Sequence, residues 1–139
     1  MKRSIVLMAV ASVLAFSCTP QKEESTETSE EVTMEKSDKG MLRHVVMFKF
    51  KDETAQEDVD KVVNAFLDLK NSIPEIKSIE WGTNNSPEGL NQGLTHCFTL
   101  TFDNAADRDA YLPNPNHKEF GKILGPHLDK VTVIDYTIE

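Results

Sequence analysis

Tyr111 and His117 flank the short segment Leu112-Pro113-Asn114-Pro115-Asn116, and a phenol and an imidazole held at that spacing could do proton chemistry together. Neither proline can continue a helix, so one helix must end there and another begin. Asn116 is a residue type that caps a new helix, and Glu119, three positions on, could complete a capping box. His117 is then expected as the first helical residue. The positive end of the helix dipole disfavours imidazolium, so the ring should stay neutral and able to accept a proton near pH 7. Such a base can remove a proton from carbon next to a carbonyl while the Tyr111 hydroxyl hydrogen-bonds the developing oxyanion. Asp135 is a candidate to orient this imidazole through its other nitrogen. In the plainer alternative, Tyr111 closes the core with its hydroxyl at the surface, His117 is a surface or capping residue, and Asp135 pairs with a neighbouring strand.

The elements that must hold these groups can be traced along the chain. Residues 42–51 alternate, with Leu42, His44, Val46, Phe48 and Phe50 on one face of a predicted strand and Arg43, Val45, Met47, Lys49 and Lys51 on the other. Thr54 and Glu57 form a predicted capping box. Val59, Val62, Val63, Phe66, Leu67, Lys70 and Ile73 then follow helical spacing until Pro74. Residues 76–82 read as a second strand, 84–93 as a turn-rich stretch, and 95–103 as a third strand with His96, Phe98, Leu100 and Phe102 on one face. A broken helical segment over 105–128 and a last strand over 131–138 complete the order strand, helix, strand, strand, helix, strand. That order predicts an α+β, ferredoxin-like subunit with strand order four, one, three, two. The last strand is apolar on both sides, through Val131 and Val133 on one and Ile134, Tyr136 and Ile138 on the other. With Val45 and Met47 also on the uncovered face, a partner is needed, and a symmetric homodimer is expected.

His44 and His96 share the core-facing pattern of their strands, as a polar patch in a pocket or as two satisfied core histidines. The topology puts them at opposite ends of neighbouring antiparallel strands, on the order of 15 to 20 Å apart, so no shared metal site is expected. Val62, Val63, Phe66, Ile79, Phe98, Phe120, Leu128 and Val133 are the apolar side chains expected to line any cavity; ordinary core packing would use the same residues.

Residues 1–17 read as an export signal, in which Lys2 and Arg3 precede an apolar run from Ile5 to Phe16 that is too short for a comfortable membrane span. Ala15-Phe16-Ser17 resembles an ordinary cleavage site, whereas Leu14-Ala15-Phe16-Ser17-Cys18 resembles a lipobox with its leucine one place early. The composition after the cysteine favours the second reading, lipidation of Cys18. Residues 18–40 form a polar Ser/Thr/Glu-rich tether, able to reach about 25 Å from a bilayer and hold the domain over 41–139 clear of it. The expected location is the cell envelope, periplasmic or surface-exposed. Lipid on Cys18 leaves Cys97 without an intramolecular partner. From Met41 onward ten Lys/Arg face sixteen Asp/Glu, a balance that repels phosphate backbones and makes nucleic acid an unsuitable partner.

From Met41 to the C-terminus the chain resembles the stress-responsive dimeric α/β-barrel (Dabb) family. The likeness is carried by Leu42-Arg43-His44-Val45-Val46-Met47-Phe48-Lys49-Phe50-Lys51, by Ile73-Pro74-Glu75-Ile76 with Trp81-Gly82, by Thr95-His96, and by Tyr111 with Pro115-Asn116-His117-Lys118-Glu119-Phe120-Gly121, closed by Asp135-Tyr136. The resemblance implies ferredoxin-like subunits whose sheets curl together in a dimeric barrel. Some members are known as heat-stable or stress-related proteins, while a plant branch cyclises polyketides by aldol chemistry without a cofactor. In that branch the residues matching Tyr111 and His117 are the key pair, and histidines matching His44 and His96 lie at the site. This chain departs at Asn114, where the cyclase has a histidine, and at Lys118, where it has a small apolar residue. The function expected is binding of a small apolar or carbonyl-containing molecule, with a cyclase or isomerase and a structural stress-related dimer as alternatives.

Overall fold

The structure, a computed structural model, describes residues 38–139; the expected export signal, Cys18 and most of the tether lie outside the described residues. Strand β1 (Leu42–Phe50) lies beside both β3 (His96–Phe102) and β4 (Leu128–Thr137), while β2 (Ser78–Thr83) pairs with β3. All three pairings are antiparallel and the order is β2-β3-β1-β4, the one the sequence predicts. The alternation in β1 survives without exception: Leu42, His44, Val46, Phe48 and Phe50 are buried and the residues between them are not. Because side chains on a strand repeat every second residue, His44 is thereby fixed on the same face as the aromatic core.

Helices α1 (Gln56–Leu67) and α2 (Leu69–Ser72) cover that face. The capping box at Thr54 does not form: α1 starts behind Ala55, which makes no side-chain cap, and the Thr54 hydroxyl instead lies 3.5 Å from the His127 carbonyl. The predicted single helix is broken at Asp68. This turns Leu69 into the core and sends the Lys70 ammonium to the Lys77 carbonyl at 2.6 Å. Phe66 stacks on Phe120 at 4.6 Å and meets Phe98 edge-on at the same distance, while Phe48 contacts all three. Full burial of each such ring contributes about 1.5–3 kcal/mol.

The helical stretch after β3 is shorter than the sequence suggests. It divides into α3 (Ala105–Tyr111) and α4 (Pro115–Leu124), and Leu128, expected at its end, opens β4 instead because Gly125-Pro126 interrupts the helix. Asn104 caps α3, accepting from the Asp107 amide at 3.1 Å. Asn114 rather than Asn116 caps α4, accepting from the Asn116 amide at 2.9 Å, and Pro115 takes the first helical position, where its missing N–H leaves nothing unsatisfied. Glu119 pairs with Lys122 at 2.7 Å, so no capping box closes, and His117 is the third helical residue.

On the other face of the sheet Ile134 and Tyr136 remain half-exposed. Thr101 is the exception there: Arg43 and Ser78 donate to its hydroxyl and cover it. Among the described residues no helix is long and apolar enough to cross a membrane.

Candidate functional site

A cavity of about 180 Å³ lies between β1, β4 and α4. Val46, Phe48, Phe66, Phe120, Leu124, Val131 and Val133 give it apolar walls, and His44, Tyr111 and His117 supply its polar groups. Three local features bring the rings together. The alternation of β1 turns His44 inward, Tyr111 ends α3, and the Asn114 cap starts α4 so that His117 comes round over Tyr111. The Tyr111 and His117 rings are 4.2 Å apart between centroids, and His44 meets Tyr111 edge-on at 5.8 Å.

The hydrogen bonds assign a role to each ring nitrogen. Leu112 presents its carbonyl to Nδ1 of His117 at 3.1 Å; a carbonyl only accepts, so Nδ1 carries hydrogen and neutral His117 keeps its lone pair on Nε2. Asp135 presents Oδ1 to Nδ1 of His44 at 2.6 Å, with the same consequence for that ring. Burial is the largest influence on His44 and holds its pKa below the ordinary imidazole value, against the opposing pull of Asp135. The Tyr111 hydroxyl is buried with no hydrogen-bond partner, and burial pushes its pKa well above the phenol range. It is a neutral donor whose bond is unmade, at a cost of about 1–3 kcal/mol.

The family model for the Stress responsive A/B Barrel Domain matches residues 42–138. The chain belongs to this family. Among family members it is similar to the stress-response A/B barrel domain-containing protein HS1 of Arabidopsis thaliana, 39% identical over 98 residues, spanning 70% of this chain and 90% of that protein. Olivetolic acid cyclase of Cannabis sativa is 28% identical over 96 residues, spanning 69% and 95%. The hydroxynitrile lyase of Passiflora edulis superposes with a TM-score of 0.68 at 30% identity, covering 74% of this chain and 96% of that one. A dimeric protein of unknown function and ferredoxin-like fold from Bacteroides fragilis gives 0.60 at 30% identity, covering 73% and 100%.

Within this Dabb domain six of the residues singled out from sequence meet at the cavity: His44, Phe66, Tyr111, His117, Phe120 and Val133. Val62, Val63 and Phe98 pack in the solid core, and Ile79 and Leu128 pack against that core; none of these five lines the cavity, which lies toward β4 and α4 rather than under α1. His96 is elsewhere. It pairs with Phe48, four residues along β1 from His44, a separation of about 14 Å, and it packs edge-on to Phe50 at 5.0 Å. It borders a separate hollow of about 700 Å³, lined also by Trp81, Met47, Cys97 and the 90–95 stretch, where no tyrosine or second histidine joins it. Asp135 orients His44 and not His117, because β4 sets it directly opposite His44 in the ladder.

Sequence reasoning missed Val46, Phe48, Gly121, Leu124 and Val131 as lining residues, and Arg108 as a partner of Asp135. Signals for several were present: Val46 and Phe48 share the face of His44, and Gly121 and Leu124 follow His117 at helical spacing.

Proposed function

We propose that this chain is an exported, lipid-anchored homodimer in which each subunit binds a small, mainly apolar carbonyl compound between β1, β4 and α4. One observation carries the ligand reading: Tyr111, whose buried hydroxyl has no partner, lines the same 180 Å³ cavity as two histidines, among apolar walls. An apolar cavity of about 150 Å³ takes a benzene molecule, so the guest is a single ring or a short chain. Its oxygen would accept from Tyr111 while its carbon skeleton rests on Phe48, Phe66 and Phe120. The dimer reading is supported by the half-exposed Ile134 and Tyr136 on the open face and by the dimeric relative from Bacteroides fragilis. Export and anchoring rest on residues 1–17 and Cys18 as read from the sequence. Cys18→Ser is expected to release the protein into a soluble fraction, and unchanged membrane retention would reject the anchor.

A second reading makes the site an enzyme, and the names of two relatives favour it, one a cyclase and one a lyase. His117 Nε2 would take the proton from carbon beside the carbonyl, and the Tyr111 hydroxyl would hydrogen-bond the enolate oxygen, with no cofactor required. Thermal-shift titration of wild type and His117→Ala with cyclohexanone, benzaldehyde and heptan-2-one, with product analysis after each titration, separates the readings. Stabilisation lost in the variant with no product identifies a binder, and turnover lost in the variant identifies an enzyme. No stabilisation and no turnover with these or related carbonyl compounds leaves a dimeric stress-related module.

A further inference from the structure

Arg108 precedes Tyr111 by three residues on α3, so both side chains leave the helix on one face. Its guanidinium bridges two carboxylates: Nε donates to Asp109 Oδ1 at 2.8 Å, and a terminal nitrogen donates to Asp135 Oδ2. The remaining Asp135 oxygen, Oδ1, accepts from His44 Nδ1. A single hydrogen-bonded chain therefore runs from α3 through β4 to β1 and ends on a ring of the cavity. We propose that Arg108 is a positioning residue of this site: by fixing one oxygen of Asp135 it turns the other onto His44, so that His44 offers Nε2 to a bound molecule in one tautomer. The inference deepens the ligand-site reading and rests on it.

A carboxylate held by one bond can rotate about its side chain, whereas one held at both oxygens cannot do so without breaking a charge-assisted bond. The planar fork of arginine supplies donors in two directions, a geometry that lysine lacks. Asp135 needs little reach, since it is the ladder partner of His44 and shares its face. Burial adds to the effect: the His44 side chain is 7% exposed, so solvent does little to compete for its Nδ1 hydrogen.

The groups facing His44 are Asp135 from β4, Arg108 and Tyr111 from α3, His117 from α4, and the uncharged Phe102 ring from β3. Burial disfavours the imidazolium most, Asp135 favours it, and the charges on Arg108 and protonated His117 oppose it. Arg108 thus aims the carboxylate and also offsets its attraction.

Nitrogen-15 NMR of the histidine rings in the ligand-free protein tests the proposal. Wild type is expected to show neutral His44 with its hydrogen on Nδ1 and one sharp, far-downfield N–H signal. Arg108→Gln should broaden that signal and shift the His44 titration, and Asp135→Asn should move the titration to lower pH. Arg108→Lys should restore the wild-type titration but not the sharp signal. Circular dichroism melts verify that each variant is folded. A folded Arg108→Gln protein with an unchanged tautomer, signal and titration would overturn the proposal. These readouts need no ligand, so they can fail while the carbonyl screen succeeds, or the reverse.

Discussion

The two sides of β1 receive different treatment under the same layer of helices. Toward β3, Phe98, Leu100 and Phe102 are fully buried and meet Phe66, Ile73 and their neighbours in a continuous core. Toward β4, Val131 and Val133 occupy the equivalent inward positions, opposite Phe48 and Val46, yet are about half-exposed, and the space beside them is open. One side uses its apolar residues to exclude water completely; the other keeps room and gathers polar rings at its end. On the proposed ligand reading, stability and ligand chemistry fall to different neighbours of one strand.

Large-to-small changes should break the symmetry most visibly. Phe98→Ala is expected to cost about 3–5 kcal/mol in urea unfolding, because it empties a packed site, whereas Val133→Ala should cost less than about 1 kcal/mol. Comparable losses from both would show that the β4 side is packed after all. Next in size is Tyr111→Phe. It removes a hydroxyl that has no internal partner, so stability should hold or rise by about 1 kcal/mol, while carbonyl-ligand affinity in a calorimetric titration should fall about tenfold. A loss of stability without a change in affinity would place that hydroxyl in the scaffold.

Gly121→Ala probes the hollow from α4. A Cβ there would meet nothing within 4 Å, so the usual helix preference for alanine should add about 1 kcal/mol, read as a higher melting temperature. At Gly93 the same change should destabilise, because φ is +81° and the added carbon would come 2.9 Å from Lys49. The gentlest effect is on pH dependence. Burial lowers the pKa of His44 and of His96, so the unfolded chain binds protons more readily than the fold does below the ordinary imidazole value. Stability should accordingly be fully present above about pH 6.5 and decline as pH falls through the lowered values, and His44→Gln should flatten part of that decline in melts between about pH 7.5 and 5.

Much of this contrast is readable in the chain, and the failures have identifiable causes. Strict alternation fixes the buried face of β1, including His44, because pleat geometry allows no other assignment once Phe48 and Phe50 are inside. The cap of α4 is easily misassigned because asparagines flank Pro115 on both sides. Only the preference of proline for the first helical position chooses between them, and it chooses Asn114. The break at Asp68 has no proline or glycine to announce it. The cavity itself is not legible: Phe66 lines it and Phe98 does not, although both are phenylalanines on core faces, and only the placement of α4 over β1 and β4 separates them. Asp135 is recognisable as an orienting group, yet its partner depends on the β1/β4 register, which residue types do not specify.

The unpaired phenol of Tyr111 carries a consequence for selectivity. The fold already bears the cost of that missing bond, so on the proposed ligand reading a guest bearing an acceptor would relieve it, whereas a hydrocarbon of the same outline would leave it as it was. Discrimination between a ketone and its matching alkane should therefore come from inside the protein, before any reaction begins, and on the usual scale of such bonds it amounts to a factor of roughly five to a hundred and fifty.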